Sequence, residues 1–498
     1  MIEKMAMNPG LGARRALMAA GAVLPLVLQE AAGGPWIEAG DAQLRSDIEI
    51  LAGASVIDNV TMQWPLPWGG VLDRLDNAAL GGQPDYVREA AERVQARGQV
   101  DTKTGELRTE LSADFAGSPA FLRGFDALGR QTMQGQVIAD YSWGSTAVHL
   151  AMGAQSVNRI DRQVFVPDGS YVAQRIGGAW VYAGYVNHWW GPGWISAMSL
   201  STNARPVPQV GITRASTEPF KTPWLSWLGP WQLEFFVGVL NGPRIARDTI
   251  YDGLRFNFSP LPHLEIGLSR TDQMCGSGHP CKPLVGYFGF KNDNSSANIV
   301  NDQSSIDIRY SGAFSGFSYA LYAQAMAEDT NPVDHSVTSH LFGGSLWLPV
   351  NDMTARLTVE YADSRPTRNI WGGEIFHGSA YNNYDYVDGM RYRGRTLGFS
   401  LDSDSRLFSI QAGFIDQLGR SLTVTYHHAE VSDPRNTWTN VVTSAPVTIN
   451  MGQARLGFPL TLGRHSLRVE FEARVQDDQP RPNSGTLVTA ELSLAYRL

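Results

Sequence analysis

The chain has 498 residues, a formal net charge of −8, 51 Gly and 2 Cys, and 18% of its residues are charged. Globular proteins average about 25% charged residues and about 7% Gly, so this chain is poor in charge and rich in glycine. The acidic balance disfavours a nucleic-acid partner, and two cysteines cannot support a disulfide-knit scaffold. The aromatic content of 10% excludes a disordered chain. The length fits several domains or one large β-architecture.

The N-terminus has the pattern of a secretory signal peptide. Arg14 and Arg15 precede a short apolar run over residues 16–28, and small residues follow at 31–34. This order predicts cleavage after Gly33, and the apolar run is too short to span a bilayer. We therefore predict that residues 1–33 are a signal peptide that is removed on export. No other apolar stretch is long enough to predict a transmembrane helix.

Residues 34–104 carry a helical pattern. Asp41 is predicted to cap a first helix in which apolar residues recur at helical spacing. These residues are Leu44, Ile48, Leu51 and Ala52. A second helix is predicted over residues 86–96, and the proline-containing segment 64–68 breaks the chain between the two.

From residue 105 to the C-terminus, apolar and polar residues alternate with a period of two, which is typical of strands with one apolar face. The clearest segments are 133–141, 306–310, 355–362, 467–475 and 490–498. A soluble β-sandwich can alternate too. However, segments of about ten residues suit a tilted membrane strand, Trp and Tyr cluster near segment ends, and Arg and Glu on the polar faces suit a polar lumen. We therefore predict an all-β transmembrane barrel of about 18 antiparallel strands over residues 105–498, with short turns at one end and long loops at the other.

The sequence WWGPG at 189–193 is followed by NARP at 203–206. Together with several weaker motifs along the mature chain, this pair resembles the Wzi capsule-assembly family of Gram-negative outer-membrane proteins. The family-motif residues are Trp189, Trp190, Gly191, Pro192, Gly193, Asn203, Arg205, Pro206 and Arg214. Weaker matches are GD at 40–41, LRSD at 44–47, WPL at 64–66, SLS at 199–201, YRGR at 392–395, SLD at 400–402 and DSR at 404–406.

The resemblance implies an eighteen-stranded barrel in the Gram-negative outer membrane. It also implies a small periplasmic α-helical bundle at the N-terminus, which residues 34–104 would form. The implied role is that of an outer-membrane lectin that holds capsular polysaccharide at the cell surface. The pair Cys275 and Cys281 departs from the family pattern, which affects the loops rather than the fold.

Two interpretations apply to the tryptophans of the WWGPG motif. They could form an aromatic platform that stacks on sugar rings, or a tight turn whose Trp residues lie in an interfacial girdle, which we favour. Two interpretations also apply to Arg205 and Arg214. These arginines could bind an acidic glycan, or they could line the lumen and pair with acidic residues across it, which we favour.

The long loop over residues 371–395 is the better candidate for ligand binding. Aromatic faces suit the CH surfaces of sugars, and guanidinium groups suit uronate carboxylates. The candidate glycan-binding residues are Trp371, Tyr381, Tyr384, Tyr386, Arg391, Tyr392, Arg393 and Arg395. The loop could also fold inward and plug the barrel, and the two interpretations are compatible.

The remaining motifs predict structure rather than chemistry. Cys275 and Cys281 are close in sequence and, in an oxidising compartment, are predicted to form one local disulfide. Asp402 and Asp404 are predicted to lie in a solvated turn rather than to bind Ca²⁺ or to cleave a glycoside. The sequence has no HExxH, GxSxG or Walker A motif. We therefore expect no enzyme, no cofactor and no metal site.

Together these observations predict an outer-membrane, lectin-like protein that binds capsular or extracellular polysaccharide and helps attach or assemble it at the cell surface. The expected partners are this polysaccharide, outer-membrane lipid and, during insertion, the barrel-assembly machinery. We expect a monomer. A porin-like channel or a polysaccharide export component is the alternative, and a secreted sugar-active enzyme or soluble β-sandwich lectin is a third hypothesis.

Overall fold

Eighteen antiparallel strands close into a barrel in the part of the chain that the structure describes, as the sequence predicts. The structure is a computed structural model and describes residues 34–281, 299–314, 316–328, 337–369, 372–436, 438, 440–479 and 486–498. The strands are β1 (Arg108–Ala116), β2 (Met133–Trp143), β3 (Thr146–Gln155), β4 (Tyr171–Ile176), β5 (Ala179–Gly184), β6 (Gln209–Arg214), β7 (Trp231–Leu240), β8 (Thr249–Leu261), β9 (Leu264–Met274), β10 (Asn301–Phe314), β11 (Phe317–Glu328), β12 (Thr338–Val350), β13 (Met353–Asn369), β14 (Arg406–Asp416), β15 (Ser421–Val431), β16 (Val447–Leu462), β17 (His465–Gln479) and β18 (Leu487–Arg497). The predicted signal peptide and Trp371 lie outside the described residues.

The last strand closes the barrel against the first. In this pairing of β18 with β1, Ala495 lies opposite Ser112. The short strands Phe165–Val166 and Gly372–Ile375 join the same sheet beside β3 and β13. Closure pairs the two strands that would otherwise form the edges of the sheet, so neither is left open for pairing with another chain.

Alternation along each strand separates an apolar outer face from a polar inner face. In β13, Leu357 and Val359 are 43% and 39% exposed, whereas the intervening Thr358 and the following Glu360 are 0% and 2% exposed. Successive side chains of a strand point to opposite faces. A charge on the lipid face costs about 2–4 kcal/mol at mid-bilayer, so the apolar residues face lipid and the polar ones face the lumen.

The two ends of the barrel differ in the length of their connections. At the turn end, the links include residues 144–145, 177–178, 262–263, 351–352, 417–420 and 463–464, with one longer segment at 215–230. At the loop end, the links include residues 117–132, 156–170, 185–208, 241–248, 376–405 and 432–446. This asymmetry of short turns and long loops is typical of outer-membrane barrels.

Helix α1 (Ala42–Gly53) lies inside the lumen, and α2 (Trp68–Asp76) and α3 (Asp85–Asp101) follow it. As predicted, Asp41 caps α1, because its Oδ1 accepts a hydrogen bond of 3.0 Å from the N–H of Leu44. Ten of the twelve residues of α1 are buried. The helical pattern of the sequence predicts α1 and part of α3 but not α2.

The polar residues of α1 are buried because the lumen supplies partners for them. Arg45 Nε lies 2.8 Å from Glu49 Oε1, and Glu49 Oε2 lies 3.3 Å from Arg309 on β10. Ser46 Oγ accepts a hydrogen bond of 2.9 Å from the indole N–H of Trp347 on β12. Burying a charge is tolerated when it is paired and hydrogen-bonded, which this network achieves.

The segment after α1 crosses the lumen close to the turn end. Glu265 on β9 accepts hydrogen bonds from the backbone N–H groups of Thr61 (2.9 Å) and Met62 (3.1 Å). Trp64 then pairs as a short strand with Trp189 of the WWGPG motif. Helix α1 and this segment are therefore part of the lumen's contents, and the assignment of residues 34–104 to a periplasmic helical region stays a prediction.

Helix α3 lies at the turn end. Tyr86 at its start hydrogen-bonds Ser318 over 3.1 Å, and Gln417 in the turn after β14 donates a hydrogen bond of 2.8 Å to Glu89. A single turn of 3₁₀ helix over Leu80–Gly82 lies between α2 and α3. The helices therefore reach from the lumen out to the turns.

Candidate glycan-binding cleft

Two adjoining cavities at the loop end form a cleft, here called the outer cleft. The first has a volume of about 390 Å³ and the second about 290 Å³. Five residues line both cavities, namely Ile160, Tyr392, Arg393, Gly394 and Val441. The five arginines that line the first cavity are Arg130, Arg159, Arg205, Arg393 and Arg395. Among the described lining residues of that cavity, Asp161 is the one carboxylate, so the wall is strongly basic.

Asp161 connects two of these arginines. Its Oδ2 lies 2.9 Å from Arg205 Nη1, and its Oδ1 lies 3.0 Å from Arg393 Nη1. Arg205 also forms a bidentate pair with Asp168, at 2.7 and 2.8 Å. Burial alone would raise the pKa of Asp161, but Arg205 and Arg393 outweigh it and hold the pKa below its ordinary value. This triad ties the loop over residues 156–170 to the predicted glycan loop.

Arg130 and Arg395 form no ion pair with any carboxylate in the described part of the chain. Arg130 donates to the carbonyl oxygen of Thr202 at 2.8 Å. Arg395 donates to Asn203 Oδ1 at 3.3 Å and to the carbonyl oxygen of Ala120 at 3.4 Å. Burial, together with the charge of Arg130, lowers the pKa of Arg395 to about 10, so it remains a cation at neutral pH. The cleft therefore carries two guanidinium groups that form no ion pair with a carboxylate of the described residues.

The second cavity adds aromatic surface and a guanidinium group whose N–H donors are only partly hydrogen-bonded. Tyr392 and Trp438 line it, together with Arg244. The side chain of Arg244 is 3% exposed, and its Nη1 donates a hydrogen bond of 3.2 Å to the carbonyl oxygen of Arg391. Its Nε lies 3.9 Å from Asp388 Oδ2, and its Nε and Nη2 donate no hydrogen bond to any described residue. Aromatic faces beside guanidinium groups suit a sugar that carries an anionic group.

The predicted glycan loop folds inward, so its residues divide between the cleft and the core. Tyr392, Arg393 and Arg395 line the first cavity, and Arg391 lines the second. Tyr384 is 86% exposed.

Tyr381 and Tyr386 are 0% exposed and lie outside the cleft. The hydroxyl of Tyr381 donates a hydrogen bond of 2.6 Å to the carbonyl oxygen of Met198, and that of Tyr386 donates one of 3.1 Å to the carbonyl oxygen of Cys275. These two residues position the loop and cannot reach a glycan.

Asp402 and Asp404 are 0% and 1% exposed, so the predicted solvated turn is wrong. Asp402 Oδ1 accepts a hydrogen bond of 2.7 Å from Arg391 Nη2. Asp404 Oδ1 lies 2.6 Å from His377 Nδ1, and its Oδ2 accepts from the N–H of Gly378 at 2.7 Å. These donors come from an earlier part of the same loop. The spacing of Asp402 and Asp404 alone does not indicate that the loop folds back over them.

The WWGPG motif lies inside the lumen, so the predicted interfacial girdle is wrong, and an aromatic platform for sugars is excluded as well. Trp189 and Trp190 are 0% exposed, and Trp194 is 2% exposed. Phe125 packs edge-on against Trp189, with ring centroids 5.6 Å apart. The reason is that the loop over residues 185–208 turns down into the barrel and packs on the N-terminal segment.

The glycines of this motif permit a close packing of backbone. Gly191 has a φ of +142°, in the region that favours glycine. A Cβ on Gly193 would lie 2.1 Å from the carbonyl oxygen of Ser196, so a larger residue cannot fit there. Pro192 between them lies in the buried part of the same loop.

The remaining family-motif residues lie in two different places. Asn203 is buried and donates hydrogen bonds of 2.9 Å to both the carbonyl and the hydroxyl oxygen of Thr396. Pro206 is buried in the same loop. Arg214 lies at the turn end, where its guanidinium is 3.6 Å from the ring centroid of Trp231. The predicted pairing with acidic residues thus describes Arg205, whereas Arg214 forms no ion pair among the described residues.

Several residues of the outer cleft are not predicted from the sequence. They are Phe121, Arg130, Arg159, Arg244 and Trp438, from four different loops. The sequence NRIDR at 158–162, in a predicted long loop, is the one local signal that could have indicated part of this surface. The others become neighbours only when the barrel closes.

The pair Cys275 and Cys281 forms a disulfide at the end of β9. No group of three His, Cys, Asp or Glu side chains among the described residues is arranged to hold a metal ion. None of the described helices is long and apolar enough to cross a membrane.

A closed wall with a lipid-facing apolar surface, a filled lumen and an arginine-rich outer cleft define a transmembrane β-barrel of the outer-membrane type. A sequence model of the family described as capsule assembly protein Wzi matches residues 104–484. The chain belongs to this family.

Two relatives illustrate the similarity. An uncharacterized 55.8 kDa protein in the cps region of Klebsiella pneumoniae is 26% identical over 300 residues, which cover 58% of this chain and 57% of that protein. The match thus spans little more than half the length of this relative. The solved structure of Wzi from Escherichia coli matches with a TM-score of 0.80 at 22% identity, over 92% of this chain and 99% of that chain. That protein is described as an outer-membrane protein involved in group 1 capsule assembly and as a carbohydrate-binding β-barrel.

Proposed function

We propose that this protein is an outer-membrane lectin that binds an anionic capsular or extracellular polysaccharide in the outer cleft and helps attach or assemble it at the cell surface. The observation that carries the proposal is that Arg130 and Arg395, which form no ion pair with a carboxylate of the described residues, lie beside the aromatic walls formed by Tyr392 and Trp438. Guanidinium groups bind carboxylates through charge-assisted, often bidentate hydrogen bonds. Family membership and the described role of the Escherichia coli protein support the same ligand class.

The proposal also assigns an orientation to the barrel in the outer membrane. In outer-membrane barrels the short turns face the periplasm and the long loops face outward. On this basis the outer cleft faces the cell exterior, and helices α2 and α3 lie on the periplasmic side. We further propose that the barrel-assembly machinery inserts the chain, since β18 alternates to its end, and that the protein acts as a monomer within outer-membrane lipid.

The proposed role contains no catalytic step. Asp161, the one carboxylate among the described residues of the first cavity, is held by Arg205 and Arg393. The other charged groups that line this cavity are guanidiniums, which keep their protons at neutral pH and so cannot act as general bases.

A binding assay with purified full-length protein tests this proposal. The protein in detergent micelles is titrated with polysaccharide from its own source, and Arg395→Gln is expected to weaken binding about tenfold. Arg435→Gln is the matched control, because Arg435 is exposed at the same end of the barrel and lines neither cavity. Unchanged affinity in Arg395→Gln, or absence of binding by the unmodified protein, would overturn the proposal.

A further inference from the structure

The disulfide between Cys275 and Cys281 closes a short loop directly after β9, here called the disulfide loop (residues 275–281). Its sequence, CGSGHPC, contains two glycines and offers no large apolar side chain to bury. A backbone hydrogen bond of 2.9 Å joins the N–H of Ser277 to the carbonyl oxygen of Arg247 in a neighbouring loop. Because so few groups can hold a glycine-rich loop in one conformation, the covalent link is its main restraint.

The disulfide loop contacts the predicted glycan loop at Tyr386. The ring of His279 stacks on that of Tyr386, with centroids 4.3 Å apart and an interplanar angle of 18°. The hydroxyl of Tyr386 donates a hydrogen bond of 3.1 Å to the carbonyl oxygen of Cys275, and His279 Nε2 donates one of 3.0 Å to the carbonyl oxygen of Asp385. Tyr386 is thus held by the first cysteine of the disulfide loop and by the histidine that lies two residues before the second.

Short hydrogen bonds connect Tyr386 to the wall of the outer cleft. The carbonyl oxygen of Tyr386 accepts a hydrogen bond of 2.7 Å from the N–H of Gly389. The carbonyl oxygen of Gly389 accepts one of 2.9 Å from Gln273, near the end of β9. Arg391, which lines the second cavity, donates from Nη1 to the carbonyl oxygen of Asp388 at 3.2 Å. A displacement of the disulfide loop therefore reaches the cleft within a few residues.

Other contacts of the glycan loop do not depend on the disulfide. The hydroxyl of Tyr381 donates to the carbonyl oxygen of Met198 at 2.6 Å, and Arg391 pairs with Asp402 at 2.7 Å. These contacts keep the loop inside the barrel when the disulfide is open. Opening the disulfide is therefore expected to loosen residues 384–390 and to leave the barrel folded.

We propose that the disulfide loop positions the glycan loop for ligand binding, and that His279 is the positioning residue through which it acts. The inference rests on the proposed function, because it concerns the affinity of the outer cleft for polysaccharide. A loop that is already ordered loses less conformational entropy when its ligand binds. The disulfide thus raises the affinity of the cleft, although neither cysteine lines either cavity.

Reduction of the full-length protein in detergent micelles tests the proposal. Cys281 is exposed, so a soluble phosphine reaches the disulfide. The phosphine and one water reduce the disulfide to two thiols and yield the phosphine oxide. Reduction is expected to weaken binding of polysaccharide from the protein's own source about fivefold. The double variant Cys275→Ser/Cys281→Ser should bind like the reduced protein and should not respond to the reductant.

Variants of His279 separate positioning from a general loss of stability. His279→Ala is expected to weaken binding about fivefold in the oxidised protein, whereas His279→Phe, which keeps a ring on Tyr386, should retain most of the affinity. His465→Ala is the matched control, because His465 lies at the turn end and its ring is 5.7 Å from that of Tyr496. Amide hydrogen exchange, measured without glycan, should increase over residues 384–390 on reduction and stay constant in β14.

The outcomes distinguish this inference from the proposed function. Equal affinity of the oxidised and reduced proteins, or unchanged affinity in His279→Ala, would overturn the inference and leave the proposed function in place. Absence of binding by the oxidised, unmodified protein would overturn the proposed function. Hydrogen exchange then tests the disulfide loop by itself, since unchanged exchange over residues 384–390 on reduction shows that it does not position the glycan loop.

Discussion

Arg45 donates a hydrogen bond of 3.0 Å from Nη1 to the carbonyl oxygen of Gly193, although 148 residues separate them in the chain. Its Nη2 donates a second bond of 2.8 Å to the carbonyl oxygen of Pro192. These two hydrogen bonds connect helix α1 to the WWGPG motif. The conformation of that motif therefore depends on the buried guanidinium of Arg45. This contact explains why a tryptophan-rich turn belongs to the lumen rather than to the membrane interface.

Replacing Arg45 tests the strength of this connection. Arg45→Met is expected to lower the free energy of unfolding by about 3 kcal/mol, because it leaves the carbonyl oxygens and part of Glu49 unpaired inside the barrel. Urea unfolding in detergent micelles, followed by tryptophan fluorescence, measures the change. Arg88→Met removes an exposed pair with Asp85 and should change the stability by less than about 1 kcal/mol. Equal effects in the two variants would contradict the prediction.

The filled lumen predicts an electrically silent protein. In planar bilayers the unmodified chain should show no steady conductance, since the segment around Trp64 crosses the lumen. The double variant Trp64→Ala/Trp189→Ala removes two fully buried side chains and should produce transient openings. Trp224→Ala, whose side chain is 72% exposed, is the control and should stay silent. Steady conductance of the unmodified protein would favour the porin-like alternative.

The aromatic wall of the outer cleft should contribute to glycan affinity. Trp438→Ala is expected to weaken polysaccharide binding about fivefold, because a stacked aromatic face contributes about 1 kcal/mol. The same assay that reports on Arg395 measures this effect. Trp227→Ala, exposed at the turn end, provides the control. If both tryptophan variants bind as the unmodified protein does, the cleft does not stack sugars at this position.

The triad at Asp161 predicts a definite pH dependence. The pKa of Asp161 is held below its ordinary value of about 3.9, so on acidification the unfolded carboxyl takes up its proton first. The stabilisation is therefore present above about pH 4 and is lost as the pH falls through the folded pKa. The difference in unfolding midpoint between the unmodified protein and Asp161→Asn should be constant from pH 7 to 5 and shrink below about pH 4. A difference that disappears by pH 6 would disprove this assignment.

The barrel wall was predictable because its signal is local. Leu357 is exposed and Thr358 is buried because one is apolar and the other polar, and successive side chains of a strand point to opposite faces. The same alternation recurs along the chain. The cap at Asp41 is equally local. Tyr392, Arg393 and Arg395 were predictable as ligand candidates because aromatic and basic residues are concentrated in one loop.

The contents of the lumen were not predictable in this way. The burial of Glu49 depends on Arg309, which is distant in sequence, and that of Asp402 depends on the inward course of its own loop. A tryptophan in a sequence indicates a preference for low polarity but does not distinguish a membrane interface from a packed interior. The sequence therefore predicts the wrong environment for Trp189 and does not indicate a role for Arg130.

The outer cleft is assembled from loops on well-separated parts of the barrel circumference. Phe121 follows β1, Asn158 follows β3, Tyr392 follows β13 and Val441 follows β15. These residues become neighbours only after β18 has paired with β1. A chain whose barrel is not yet closed therefore possesses the arginines but lacks the cleft. Under the proposed function, the capacity to bind the polymer is thus coupled to completion of the barrel.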